Sequence, residues 1–149
     1  MLKAGDDAPD FTVMTHEGKP LTLASLRGHK VLLWFYPQAD TPGCTAEGCS
    51  LRDQYSYYEE NDIVVLGVSF DSVEDNAAFV KKFGFPFALL CDTGRDIGVA
   101  YGACDNPKAR YAERISYVID EQGKILRAYP QVNPRDHAAQ VLADLLTEE

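Results

Sequence analysis

The chain alternates between short apolar runs and longer stretches in which apolar residues recur with helical spacing. Residues 31–35 (VLLWF) and 63–69 (IVVLGVS) have the length and composition of strands that are covered on both faces. The segment between them is rich in turn residues up to Gly43 and helical from about residue 44 to residue 60. This order predicts a βαβ unit with the first run as a central strand.

The remaining predicted elements are a hairpin from residues 10–14 and 21–23, a helix over 71–83, a strand over 87–91, a short helix over 95–101, a hairpin from 115–119 and 125–129, and a C-terminal helix. Asp71 or Ser72 is placed to cap the first of these helices, and Asn133 to cap the last, with Pro134 at its first position. Strands that alternate with helices, followed by a late hairpin, predict an α/β protein. We expect a thioredoxin-like fold: a central mixed β-sheet flanked by helices on both faces, with an N-terminal β-hairpin extension.

Composition and charge narrow the class of protein. No repeat or linker divides the 149 residues, so we predict a single domain over residues 1–149. The formal net charge of −9 disfavours nucleic acid and anionic membranes as partners. The apolar runs are far shorter than the roughly 20 residues that cross a bilayer, and the first residues do not form an apolar signal segment. We therefore expect a cytoplasmic protein.

Cysteine chemistry is the main functional signal. Four cysteines, at positions 44, 49, 91 and 104, are too few and too scattered for a disulfide scaffold. Cys44 begins the helix that follows the central strand, where unpaired backbone N–H groups and the helix dipole favour a thiolate over a thiol. The Thr41 hydroxyl lies three residues upstream, and Pro37 and Pro42 restrict the loop between them. These residues predict a narrow polar pocket around a nucleophilic sulfur.

The sequence PQADTPGC of residues 37–44 resembles the Pro-x-x-x-Thr-x-x-Cys signature of the peroxiredoxins. The longer segment FYPQADTPGCTAEGC, residues 35–49, is similar to the bacterioferritin comigratory protein or peroxiredoxin Q subfamily. The likeness continues through residues 64–92 and 115–125 into the last helix, so it covers nearly the whole chain.

This resemblance assigns roles to five residues. It implies that Cys44 is the peroxidatic cysteine, that Thr41 positions the peroxide, and that Pro37 shields the pocket. The segment Arg-Ile-Ser-Tyr at residues 114–117 matches the family's later strand, so Arg114 would stabilise the thiolate and the leaving oxygen. Glu47, one helical turn past the cysteine, is expected to order the hydrogen bonds of the pocket.

The resemblance also implies the catalytic cycle. Cys44 attacks a hydrogen peroxide or organic hydroperoxide and becomes a sulfenic acid, Cys49 condenses with it to an intramolecular disulfide, and thioredoxin or a similar dithiol reduces that disulfide. The cycle requires neither a cofactor nor a metal ion. Members of this subfamily are often monomeric, so a monomer is expected.

Two alternative functions are close to this one: the first keeps the peroxide chemistry, and the second keeps only the fold. If Cys49 is only a core contact, the protein is a one-cysteine peroxidase that uses an external thiol. A thioredoxin-like disulfide oxidoreductase that is not a peroxidase would share the fold, but it normally needs a Cys-x-x-Cys pair, and the four cysteines lack that spacing. In the simplest structural interpretation Arg114 forms an ordinary strand-end salt bridge. Arg110, four residues earlier, is the less favoured candidate for the arginine that stabilises the thiolate.

More distant alternatives depend on other residue types. A metal-binding module has a poor ligand set around Cys44, and a papain-like hydrolase lacks a sequence signal that marks a histidine as base. The three histidines, His16, His29 and His137, are expected at the surface. Cys91 is expected to be an inert buried thiol and Cys104 an exposed, non-essential one that retains a possible resolving role.

Overall fold

The core of the protein is built on the strand predicted to be central. The computed structural model describes residues 1–146. In chain order its elements are β1 (Thr12–Met14), β2 (Pro20–Thr22), a 3₁₀ helix (Leu23–Leu26), β3 (Lys30–Phe35), α1 (Pro42–Asp53), α2 (Tyr55–Glu60), β4 (Ile63–Ser69), α3 (Val73–Phe83), β5 (Ala88–Cys91), α4 (Asp96–Ala100), β6 (Ser116–Ile119), β7 (Ile125–Tyr129) and α5 (His137–Leu146).

Five strands form one mixed sheet in the order β5-β4-β3-β6-β7. β3 pairs in parallel with β4 and antiparallel with β6, so it lies in the middle of the sheet as the apolar run predicted. β4 and β5 are parallel, and β6 and β7 form the predicted late hairpin. β1 and β2 form the predicted N-terminal hairpin as a separate two-stranded sheet.

Helices cover both faces of this sheet because β3 carries apolar side chains on both sides. Leu32 and Trp34 point into a cluster that includes residues of α1, α2, α3 and α5. Leu33 and Phe35 point into a second cluster that includes residues of α4 and of the N-terminal segment. The predicted α/β class, mixed sheet and two-sided helix cover are therefore confirmed. The predicted domain 1–149 ends in three residues that lie outside the described part of the chain.

The prediction of one continuous helix over residues 44–60 is wrong, because the segment forms two helices. The helical segment begins at Pro42 and divides at Gln54, whose backbone (φ −98°, ψ 2°) leaves the helical region and separates α1 from α2. After this break Tyr58 is fully buried, and its hydroxyl donates to the Ala138 carbonyl at 2.7 Å. The packing of Tyr58 under α5 is a tertiary contact, and the apolar periodicity within residues 44–60 does not predict it.

Two cap predictions are refined by the structure. Ser72, rather than Asp71, caps α3, because its hydroxyl accepts from the Asp75 N–H at 3.2 Å. Asn133 begins a hydrogen-bonded turn, since its carbonyl accepts from the His137 N–H at 3.0 Å, but the regular helix α5 starts only at His137. The remaining predicted boundaries differ from the observed ones by two residues or fewer.

Candidate active site

The first turn of α1 creates a site that favours negative charge. Thr41 is the N-cap residue, and Pro42, Gly43 and Cys44 form the first turn. The first main-chain bond of the helix runs from the Thr45 N–H to the Thr41 carbonyl at 2.8 Å. The N–H groups of Gly43 and Cys44 therefore precede the first helical hydrogen bond and have no acceptor within the helix. Together with the helix dipole they stabilise an anionic sulfur on Cys44.

Arg114 supplies the cation at this site. It lies just before β6, and β6 pairs with β3, which leads into the loop before α1. Its Nη2 donates to the Cys44 sulfur at 3.4 Å, and its Nη1 donates to Glu47 Oε1 at 2.9 Å. One guanidinium therefore serves two acceptors that lie three residues apart on the same face of α1.

Gly43 is a site residue that the sequence reasoning missed. A Cβ atom at this position would lie 2.8 Å from Arg114 Nη2 and 3.5 Å from its Cζ, so the guanidinium packs directly over the glycine. Glycine costs helix stability, and its presence in a first helical turn is a weak sequence signal of a close approach. The partner that makes the approach becomes visible only in the fold.

Burial affects the ionisation of both Glu47 and Arg114. Glu47 is 0% exposed, and burial raises its pKa to about 7 even though its hydrogen bond and charge interaction with Arg114 act in the opposite direction. Burial lowers the pKa of Arg114, but the neighbouring Cys44 and Glu47 outweigh this effect and the pKa is raised overall. The guanidinium is therefore a permanent cation between the Cys44 sulfur and the Glu47 carboxyl group.

The loop between β3 and α1 carries the other predicted pocket residues. Pro37 is half-buried at its start, and the Thr41 hydroxyl donates to the Gln38 carbonyl at 2.7 Å. Because this bond uses the hydroxyl proton, the oxygen of Thr41 is left as an acceptor. The structure places Arg114 in direct contact with both Cys44 and Glu47, and it places Thr41 and Pro37 on the adjoining loop.

Contacts with α3 and the segment before it fix this loop. The Ala39 N–H donates to Asp71 Oδ2 at 2.8 Å, which explains why Asp71 does not cap the helix. Asp40 adopts a left-handed conformation (φ 60°) and pairs with Lys82 at 2.9 Å. These partners were not identified from the sequence, because they lie more than 30 residues away along the chain.

The remaining cysteines differ in environment. Cys49 is half-buried on α1 and lines a surface pocket of about 350 Å³ together with Ser50 and Arg135. Cys91 is buried, as predicted, and burial raises the pKa of its thiol. Cys104 is half-buried against an apolar cluster, which corrects its predicted exposure; burial also raises its pKa. Neither Cys91 nor Cys104 has the environment of a thiolate at neutral pH.

The histidines have partners elsewhere. His16 Nδ1 accepts from the Leu89 N–H at 3.2 Å, and His29 contacts Asp62 at 2.7 Å. His137, the first residue of α5, is fully buried against the Tyr129 ring of β7, which corrects the prediction of a surface residue. These contacts leave the papain-like alternative without a base at Cys44.

Among residues 1–146, none of the helices has both the length and the apolar character that a bilayer crossing requires.

Comparison with known proteins gives consistent matches along the chain. The model of the AhpC/TSA family matches residues 4–128. A putative peroxiredoxin bcp of Coxiella burnetii is 40% identical over 149 residues, which is 97% of this chain and 99% of that protein. The crystal structure of peroxidoxin BcpB from Mycobacterium tuberculosis superimposes with a TM-score of 0.91 at 31% identity, over 100% of this chain and 99% of that one.

A further solved structure is that of the bacterioferritin comigratory protein of Xanthomonas campestris, described for its alkyl peroxide reduction activity. It has a TM-score of 0.88 at 28% identity and covers 96% of this chain and 97% of its own. The similarity to these three proteins therefore covers at least 96% of this chain and at least 97% of each of them.

The close approach at Gly43 gives a first prediction. In Gly43→Ala the new methyl group displaces the Arg114 guanidinium from Cys44, since their separation would otherwise be 2.8 Å. Loss of a charge-assisted hydrogen bond of about 1.5–3 kcal/mol should slow the reaction of the Cys44 thiol with hydrogen peroxide about 10-fold or more. Stopped-flow fluorescence of the reduced protein measures this rate.

Gly48→Ala on the same helix is the control. Its Cβ would lie 2.5 Å from Phe85 Cζ and does not approach Arg114. We expect it to lower the free energy of unfolding by about 1–3 kcal/mol, with a smaller effect on the rate than Gly43→Ala. A Gly43→Ala protein that reacts at the wild-type rate would show that Arg114 does not act from this position.

Proposed function

This chain belongs to the AhpC/TSA family and is a peroxiredoxin, an enzyme that reduces peroxides with a thiol; from that membership we propose that Cys44 is the attacking thiol and that Arg114, Thr41 and Cys49 complete the catalytic cycle. The observation that carries the proposal is the contact of Arg114 Nη2 with the Cys44 sulfur, 3.4 Å apart, at the start of α1. A cation and free backbone N–H groups at one sulfur create the environment of a reactive thiolate.

The proposed chemistry is a displacement at the O–O bond. The Cys44 thiolate attacks one peroxide oxygen, an S–O bond forms, and the electron pair of the broken O–O bond moves to the leaving oxygen. Arg114 stabilises negative charge both on the sulfur and on the leaving oxygen. The acceptor oxygen of Thr41 binds the peroxide O–H, and Pro37 shields the pocket on the side of the loop.

Burial of Cys44 favours this chemistry over disulfide exchange with protein substrates. The residue is 0% exposed, so a protein disulfide cannot reach the sulfur while α1 is folded, whereas a small hydroperoxide needs only a narrow opening. The cation at the sulfur also opposes the binding of a metal cation. These two observations disfavour the thioredoxin-like oxidoreductase and the metal-binding module.

We assign hydrogen peroxide and organic hydroperoxides as substrates and thioredoxin or a similar dithiol as reductant. The activity described for the Xanthomonas campestris protein supports the organic class. We also propose that the protein is a monomer, that it is cytoplasmic, and that it works without a cofactor.

Cys49 resolves the sulfenic acid in this scheme. Both cysteines lie on α1, and five residues of regular helix separate their Cα atoms by roughly 9 Å, more than the roughly 7 Å that a disulfide spans. The bond therefore cannot form while α1 is intact. Local unwinding of the first turns must follow oxidation of Cys44, and it brings the buried sulfur toward the pocket that Cys49 already lines.

Substitution of the attacking thiol tests the central assignment. Cys44→Ser should reduce peroxide consumption to the background rate, because a serine hydroxyl is not ionised at this site and the other thiols lack the helix-start environment. Cys91→Ser is the matched control: it removes a buried thiol and should keep the wild-type rate. Near-normal turnover in Cys44→Ser would refute the assignment.

The resolving step has its own test. Cys49→Ser should react with the first equivalent of peroxide at the wild-type rate but should lose thioredoxin-dependent turnover, because the sulfenic acid has no internal partner. Peptide mass mapping without reduction should show a Cys44–Cys49 disulfide in the wild-type protein. Full turnover in Cys49→Ser would assign the resolving role to Cys104, Cys91 or an external thiol, as in the one-cysteine alternative.

Amide hydrogen exchange tests the unwinding. Residues from about 44 to 52 should lose protection when the reduced protein is converted to the disulfide form, because helical hydrogen bonds of α1 break. The amides of α5 serve as the internal control and should stay protected. Equal protection of α1 in both forms would mean that Cys49 is not the partner of Cys44.

A further inference from the structure

Two acceptors compete for one cation in the buried part of the site. Arg114 donates one hydrogen bond to Cys44 and one to Glu47, at 3.4 Å and 2.9 Å. If both groups are ionised, a thiolate and a carboxylate share a single positive charge in a region from which water is excluded. Like charges that share one cation repel each other, so a thiolate on Cys44 favours the protonated form of Glu47.

The second oxygen of Glu47 favours the protonated form. Oε2 is buried, and no hydrogen-bond partner for it exists within residues 1–146. An ionised carboxylate would leave a negatively charged oxygen there without a donor, which is more costly than a neutral hydroxyl in the same place. The shift of the Glu47 pKa to about 7 has this burial as its main cause.

Tyr58 and His137, two other ionisable groups beneath α1, are neutral near pH 7. Burial raises the pKa of Tyr58 far above its ordinary range, and the charge of Glu47 adds to this shift. The Tyr129 hydroxyl donates to Asp144 at 2.7 Å. Burial lowers the pKa of His137, which is therefore neutral. The Glu47 pKa of about 7 lies within the physiological range.

From this arrangement we infer that Glu47 holds a proton while Cys44 is a thiolate and releases it when Cys44 is oxidised, so that the proton taken up by the leaving oxygen is balanced by one released within the site. The inference rests on the proposed function. In the overall balance the Cys44 thiolate, protonated Glu47 and a hydroperoxide give a Cys44 sulfenic acid, a Glu47 carboxylate and an alcohol. The sulfur loses two electrons to the O–O bond, the leaving oxygen takes a proton from water while Glu47 returns one to water, and the net charge of the site is unchanged.

The physical cause is the shared guanidinium. Once the sulfur becomes a neutral sulfenic acid, Arg114 has Glu47 as its one anionic partner, and the carboxylate is stabilised at that moment. Glu47 is 0% exposed and contacts the reacting sulfur only through Arg114, so it is a positioning residue that stores a proton rather than a catalytic residue.

The number of protons exchanged with solvent tests the inference. At about pH 8, above the Glu47 pKa of about 7 that applies once the sulfur is neutral, the reduced wild-type protein in weakly buffered solution with a pH indicator should consume hydrogen peroxide with almost no net proton uptake. Glu47→Gln keeps the size of the side chain but stores no proton, so it should take up about one proton per peroxide consumed. Asp53→Asn, an exposed substitution on the same helix, should behave like the wild type. Equal proton uptake in wild type and Glu47→Gln overturns the inference.

Infrared difference spectroscopy gives an independent readout if Glu47→Gln folds poorly. Oxidation of the wild-type protein should remove the carbonyl stretching band of one protonated carboxylic acid and create carboxylate bands. Persistence of the acid band after complete oxidation overturns the inference. A failure of the proposed function is seen separately, as peroxide consumption that does not depend on Cys44.

Discussion

The site depends on the placement of one cation, the Arg114 guanidinium, over the first turn of α1. Three features from separate parts of the chain make this possible: the register of β6 on β3, the absence of a side chain at Gly43, and the carboxylate of Glu47 that holds the second arm of the guanidinium. Moving the cation by the width of a methyl group would leave the sulfur without its partner. The pairing of β6 with β3 in the central sheet therefore fixes the distance between the Arg114 guanidinium and the Cys44 sulfur.

Much of this arrangement follows from local sequence. The strand at residues 31–35 was predicted to be central because it is apolar at every position, and its two faces do pack against separate clusters. The start of α1 at a proline, and a cysteine within its first turn, are local features that predict a reactive thiol before any tertiary contact is known. The resemblance to a family adds Arg114, whose sequence neighbourhood alone would not separate it from a strand-end salt bridge.

The errors share one cause, which is tertiary packing. After the division of the helix at Gln54, Tyr58 packs under α5, and His137 at the start of α5 is buried against Tyr129 of β7. Neither contact partner lies within the window that a periodicity argument covers. Glu47 illustrates the same limit: its position on the helix was predicted, but its complete burial and the unsatisfied oxygen emerge only when α1 and the sheet enclose it.

The helix that carries the two cysteines is weak by its own sequence, and this weakness suits the cycle. Gly43 and Gly48 each cost about 1 kcal/mol relative to alanine in a helix, so α1 relies on packing for its stability. That packing includes Phe85 against Gly48 and the pair formed by Arg114 and Glu47. When oxidation neutralises the sulfur, the helix start loses the anion that its free N–H groups and the guanidinium stabilised. In the proposed cycle, the event that ends the peroxide reaction thus removes one of the contacts that hold the first turn closed, and we expect a helix with little intrinsic stability to open at the end that carries Cys44.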